Sequence, residues 1–358
     1  MTGTFARLST PAARTADETA SPAIHHGGDL GAARLQFPGA PTPWLDLSTG
    51  INPVPYPAHD ISAEALTRLP DAAALAQLQA AAAQAYGATS AEHIVAGAGT
   101  QTIIQWLPKL FPAKRVALLG FGYQEYPAVW HAANAEVVVA QDIAELIEPG
   151  IDVAIVVNPN NPDGRIVPSQ GLAGIAARLA RRGGLLIVDE AFMDVTRPSA
   201  SLVPILPERG ALVLRSFGKA YGLAGLRLGF AVAGLDVAEK LRAALGPWAV
   251  SGPAIEIATA ALADTSWLTQ SVIRLERQAA RLDALLTAAG FAIIGGTALF
   301  RLAQHQQATQ WFEALGRRGI LTRPFPERRT WLRFGLPGDE ADWMRLTETL
   351  QGHAGAIT

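Results

Sequence analysis

Four short apolar runs constrain this chain more than any other feature: Arg115 to Leu119, Val153 to Val157, Gly184 to Val188 and Ala211 to Leu214. A continuous apolar run of that length, bounded by turn residues, reads as a strand buried on both faces, the mark of a parallel sheet covered by helices. Helical patterns separate the runs, so an α/β fold is expected, with a mostly parallel central sheet and helices on both faces. In such sheets ligands bind just past the carboxyl ends of the strands, and the informative polar residues of this chain all lie there. Beyond Gly246 and Pro247 the pattern changes. Ser266 to Ala289 repeats Leu268, Val272, Leu275, Ala279, Leu282 and Leu286 at steps of four and three, an amphipathic helix. Phe291 to Leu302, Gly319 to Arg323 and Thr330 to Phe334 then read as strands of a smaller α+β domain. The expected organisation is a disordered tail over 1–22, an N-terminal arm over 23–57, a large domain over 58–246 and a small C-terminal domain over 247–358.

With 358 residues the chain exceeds what one hydrophobic core usually serves, in keeping with two domains. Its formal net charge of −2, with no basic run, gives nucleic acid or a membrane surface no electrostatic footprint. Cysteine is absent, which excludes disulfides, thiol nucleophiles and thiolate metal sites. Met1 to Pro22 lacks an apolar core of signal length and no later run approaches a membrane span, so a cytoplasmic protein is expected.

Along the chain, H-H-G-G-D (His25 to Asp29) and W-L-D-L-S-T-G-I-N-P (Trp44 to Pro53) are too rich in Gly and Pro for a long helix and read as an extended arm. Ala72 to Tyr86 is a helix stopped by Gly87. At Gly97 to Thr100, G-A-G-T joins a strand to a helix N-terminus, where free amides and the helix dipole favour an anion. As a dinucleotide fingerprint it fails, because Thr102 replaces the third glycine and no acid follows the next strand. Tyr123 stands at a strand end, N-P-N-N-P-D-G (Asn158 to Gly164) offers the Asn161 amide at the same rim, and Asp189 ends a buried strand, where a carboxylate is costly unless paired. Each has a plainer reading, as core aromatic, turn former or solvated end.

Ser216 to Phe230, S-F-G-K-A-Y-G-L-A-G-L-R-L-G-F, sets Lys219, one of four lysines in the chain, among glycines, with Arg227 eight positions on. Lys219 could simply snorkel from a strand end. Alternatively it is an amine held as a Schiff base against an electrophilic cofactor, with Ser216 and Arg227 on that cofactor's phosphate.

Taken together, G-A-G-T, Tyr123, N-P-N-N-P-D-G, V-D-E-A-F and S-F-G-K-A-Y-G-L-A-G-L-R-L-G resemble the fold-type I pyridoxal-phosphate enzymes of the aspartate aminotransferase superfamily, in order and spacing. The resemblance implies pyridoxal 5'-phosphate bound through Lys219. Asp189 would pair with the pyridine nitrogen, Asn161 would bond the ring hydroxyl, and Tyr123 would stack on the ring. Ala98, Gly99 and Thr100 would cradle the phosphate with Ser216 and Arg227, and Arg333 would clamp the substrate carboxylate. No metal is implied, and relatives are homodimers.

Within the superfamily the nearest groups are histidinol-phosphate aminotransferase and the threonine-phosphate decarboxylase of cobalamin synthesis. The arm motifs H-G-G-D and D-L-S-T-G-I-N-P, and Phe192 where many aminotransferases carry tyrosine, favour the decarboxylase. Its reaction would convert O-phospho-L-threonine to (R)-1-amino-2-propanol O-2-phosphate, with His26, Asn52, Asn158 and Arg323 as candidates for the substrate phosphate. The alternatives are an aminotransferase acting on histidinol phosphate or a related amino acid, and a non-catalytic binding protein that kept the fold. Two departures stand out. Leu69 sits where relatives often place a tyrosine reaching the neighbouring subunit's cofactor phosphate, and Asp29 adds a charge that must point away from a phosphorylated substrate.

Overall fold

The computed structural model describes residues 27–58 and 60–354; His26 and the tail expected over 1–22 lie outside the described residues. A seven-stranded sheet forms the centre. Its strands are β1 (Ile94–Gly97), β2 (Arg115–Leu119), β3 (Glu136–Ala140), β4 (Val153–Val157), β5 (Leu185–Asp189), β6 (Ala211–Ser216) and β7 (Gly229–Ala233). Their spatial order is β1-β7-β6-β5-β4-β2-β3, and only β7 runs antiparallel, to both of its neighbours. All five residues of β4 are buried, because helices cover both faces of the sheet. Each fully buried Val, Leu or Ile contributes about 1.5–3 kcal/mol, so the apolar runs drive sheet formation as well as mark it. Strand ends differ slightly from expectation. β5 includes Asp189, and β6 runs on through Ser216 into a short helix, Phe217–Ala220, that carries Lys219.

The expected strand Phe291 to Leu302 is a hairpin, β8 (Ala292–Thr297) and β9 (Phe300–Gln304), folded back at Ala298 and Leu299. With β10 (Arg323–Pro324) and β11 (Trp331–Gly335) it makes a four-stranded antiparallel sheet ordered β10-β11-β9-β8. The long helix is Thr265–Ala288, burying Val272, Leu275, Ala279, Leu282 and Leu286. Helix Gly252–Ala263 packs on helix Ala72–Tyr86 of the large sheet's layer, so the chain crosses between layers again after residue 246.

The arm is less extended than its Gly and Pro content implies. It holds a helix, Leu30–Gln36, and a pair of residues, Leu45–Asp46, that lies parallel to Ile320–Leu321. It then runs against the lysine loop, where the Asn52 N–H donates to the Lys219 carbonyl (2.9 Å) and the Tyr56 N–H to the Tyr221 carbonyl (2.8 Å). Among the described residues no helix is long and apolar enough to cross a membrane.

Candidate active site

The carboxyl ends of the strands, the arm and the small sheet enclose a cleft of ≈ 260 Å³. Ten residues singled out in the sequence line it: Gly99, Thr100, Tyr123, Asn161, Asp189, Ser216, Lys219, Arg227, Arg323 and Arg333.

One end of the cleft is built for an anion. Gly99 caps helix Thr100–Leu110 at φ 83°, a conformation that L side chains rarely adopt. A Cβ there would lie 2.7 Å from Arg227 Nη2, and one on Gly229 would lie 2.4 Å from the Thr100 nitrogen. The two glycines thus let a guanidinium and a helix N-terminus converge, and Ser216 lines the same space. Arg227 itself holds a left-handed backbone (φ 53°) to reach this point. Ala98, expected in the cradle, is exposed and does not line the cleft; its carbonyl accepts the Thr102 hydroxyl at 2.9 Å.

Asp189, 4 % exposed, lies in the cleft floor. Its Oδ2 accepts the Tyr126 hydroxyl at 2.9 Å and its Oδ1 the Ala191 N–H at 3.0 Å. Burial pushes its carboxyl up from the ordinary range, and Tyr126, Ala191 and Lys219 pull it back. The next residues, Glu190 and Arg215, bond to each other at 3.0 Å, and Arg215 also pairs with Asp194. Such buried pairs hold geometry more than they add stability, and here they pin the strand ends carrying Asp189 and Ser216.

Lys219 points toward the Phe192 ring, its Nζ 5.8 Å from the centroid. Burial, reinforced by the cations of Arg333, Arg323 and Arg227 and opposed by Asp189, lowers its amine to about 8. Roughly a tenth of it is therefore neutral at pH 7, a few hundred times more than for an ordinary amine, as a nucleophile requires. Tyr123 donates its hydroxyl to Gln101 at 3.3 Å, and burial, ahead of the nearby Glu125, raises the phenol to about 12.

Arg333, 2 % exposed, donates from Nη1 to Asn161 Oδ1 (2.6 Å) and from Nη2 to the Ser48 carbonyl (2.6 Å). Its guanidinium lies 4.9 Å from the Phe300 ring, which meets Phe192 edge-on. Burial and then Arg323 hold it well below its usual value.

Two residues expected at the substrate lie elsewhere. Asn52 is buried outside the cleft lining, donating to the Ala220 carbonyl (2.8 Å) and accepting from the Val54 N–H (3.0 Å). Asn158 is fully buried and exchanges two bonds with the Val167 backbone, 3.1 and 2.8 Å. Their amides are spent on the fold. Asp29 turns its Oδ1 to the Ala32 N–H (2.8 Å) and caps the arm helix, so its charge is engaged at that helix's start. Gly27, Ser48 to Gly50, Gln101 and Phe192 also line the cleft, and none had been assigned a contact from sequence.

The model of the aminotransferase class I and II family matches residues 43–350. The chain belongs to the class I and II aminotransferase family. Among relatives of this family member, the threonine-phosphate decarboxylase of Pseudomonas aeruginosa is 43% identical over 92% of this chain and 98% of its own. That of Sinorhizobium sp is 45% identical over 91% and 97%. A solved histidinol-phosphate aminotransferase from Sinorhizobium meliloti, in complex with pyridoxal-5'-phosphate, superposes with a TM-score of 0.78 at 19% identity, covering 96% of this chain and all of that one. The cleft fits a flat, phosphorylated cofactor of this kind: a glycine-backed anion cradle at one end, a buried carboxylate at the other and a neutralisable amine between them.

Proposed function

We propose that this family member decarboxylates O-phospho-L-threonine to (R)-1-amino-2-propanol O-2-phosphate, the step known from cobalamin synthesis, with pyridoxal 5'-phosphate as cofactor. The observation that carries the reading is relatedness over nearly the full length of proteins named threonine-phosphate decarboxylase. When bound, pyridoxal phosphate supplies an electron sink conjugated to the substrate's amine. Gly99, Thr100, Ser216 and Arg227 hold its phosphate, Asn161 its ring hydroxyl, Tyr123 its face and Asp189 its ring nitrogen. Arg333 would grip the substrate carboxylate and fix its direction in the cleft, and that direction would select the bond from the α-carbon to the carboxyl as the one that breaks. Phe192, backed by Phe300, gives the same corner an apolar wall. Lys219 then returns a proton to the α-carbon. The phosphate-bearing carbon takes no part, so its configuration is retained. Arg323 is the remaining cation of the cleft lining and takes the substrate phosphate, with His26 as a further candidate.

Incubating the loaded protein with phosphothreonine and no keto acid is expected to release carbon dioxide stoichiometrically with the amino alcohol phosphate. Transfer that depends on 2-oxoglutarate, with no carbon dioxide, would show an aminotransferase instead.

The same reading makes the protein a cytoplasmic homodimer. Leu66, Leu69 and Trp248 are large apolar residues exposed by 65%, 67% and 59%, and Trp248 holds an unfavourable left-handed backbone (φ 57°). Exposed apolar residues of this size, Leu66 on the short helix Ala63–Thr67 and the other two on loops, suit a self-association surface. Sedimentation is expected to give twice the 37.7 kDa chain mass. Trp248→Asp together with Leu69→Asp should move the protein toward the monomer, and an unchanged dimer would place the interface elsewhere.

A further inference from the structure

The geometry points to Tyr126 as a positioning residue: its hydroxyl, gripping one oxygen of Asp189 while the Ala191 N–H grips the other, fixes the acid and keeps it anionic against the cofactor's ring nitrogen. This rests on the pyridoxal-phosphate reading. Tyr126 is fully buried on helix Glu125–Ala132, its ring packed edge-on to Tyr123 (6.1 Å), and its hydroxyl lies 2.9 Å from Asp189 Oδ2. Asp189 cannot swing away. Its carbonyl accepts the Asn158 N–H at 2.7 Å, its strand is paired on both sides, and Oδ1 is bonded to Ala191.

The plainer account is that a core tyrosine needs an acceptor and Asp189 happens to supply it. The energetics run the other way. A buried carboxylate is the costlier group, and a hydrogen bond to a charged partner is worth about twice a neutral one. The titratable groups facing Asp189 are Tyr126 from its helix, Tyr123 from the loop before it and Lys219 from the short helix after β6. Burial drives Asp189 toward its neutral acid, and the Tyr126 hydroxyl is the leading influence opposing it. Tyr126 is itself held well above the ordinary phenol range, chiefly by burial, so it remains a donor throughout the working range. Without that hydroxyl the proton shared with the ring nitrogen shifts onto Asp189, and the ring withdraws electrons less strongly.

The test compares Tyr126→Phe with Val129→Ala, which trims the packing of the same helix and leaves the hydroxyl. In loaded protein, Tyr126→Phe should lower kcat with KM for phosphothreonine unchanged, and should move the acid limb of the kcat profile up by about one to two pH units. In cofactor-free protein a second readout is available. The folded variant binds a proton at Asp189 more tightly than wild type, so its extra loss of stability should be small at about pH 4 and grow as pH rises to about 8. Val129→Ala should lose the same stability at both pH values and keep the wild-type acid limb. If Tyr126→Phe behaves like Val129→Ala while wild type takes up pyridoxal phosphate normally, the positioning role is wrong and the cofactor reading stands. Wild-type protein that takes up none would overturn both.

Discussion

Replacing Lys219 with alanine is expected to abolish the visible band of the lysine-bound cofactor and to lower turnover by about 10⁴-fold or more. Two losses would combine. On the proposed function the residue would supply the amine that holds the cofactor covalently and the proton returned to the α-carbon, and a general acid alone is typically worth 10²- to 10⁴-fold. The environment of Lys219 adds a pH signature. With the amine lowered to about 8, cofactor-free wild type should react with pyridoxal phosphate faster as pH rises toward that value and level off above it. Surface lysines would still be gaining reactivity there, since an unperturbed amine titrates near 10.4. A lysine-bound band that survives in the alanine variant would assign the amine to another residue.

The second large effect is expected at Arg333. Arg333→Lys should raise KM for phosphothreonine by roughly 10-fold or more, because losing a hydrogen bond to a charged group costs about 1.5–3 kcal/mol. Lysine keeps the charge but not the fork that reaches Asn161 and the Ser48 carbonyl at once. Inhibition by the amino alcohol phosphate distinguishes the role, since that product has no carboxylate. It should bind wild type and variant alike, whereas equal weakening of both ligands would mean that Arg333 holds the cleft together and not the carboxylate.

Much of this site was legible in the sequence because buried parallel strands announce themselves as unbroken apolar runs, and the residue that follows each run has a known address. Asp189 and Lys219, which line one cleft, were singled out that way. Asn52 and Asn158 were misplaced because an asparagine beside proline looks the same whether its amide serves a ligand or the backbone. Here Asn158 replaces a strand partner for Val167, and Asn52 ties the arm to the Ala220 carbonyl. Tyr126 went unassigned since a fully buried tyrosine on a helix reads as core. Its signal was present: Asp189 required a donor, and a hydroxyl three residues beyond Tyr123 lies on the same rim. The arm helix Leu30–Gln36 was hidden by its short length and the glycines before it. The break of Phe291 to Leu302 into a hairpin comes at Ala298 and Leu299, two apolar residues with no glycine or proline to mark the turn.

The arm's backbone bonds to Lys219 and Tyr221 bear on how the molecule assembles. The Asn52 amide meets a carbonyl 168 residues further along the chain. Closing a loop of that length is an entropic cost that local contacts cannot defray, so such pairings form after the sheet has already organised its ends. The arm precedes its docking site in the chain and pairs with it once that site has folded. Until it does, Lys219 has its strand and its neighbours but lacks the clamp on its own carbonyl, and the corner around Arg333 lacks the Ser48 carbonyl. A cofactor or substrate that requires both therefore stabilises the docked arm in proportion to its own binding, and the order of folding becomes coupled to the order of loading.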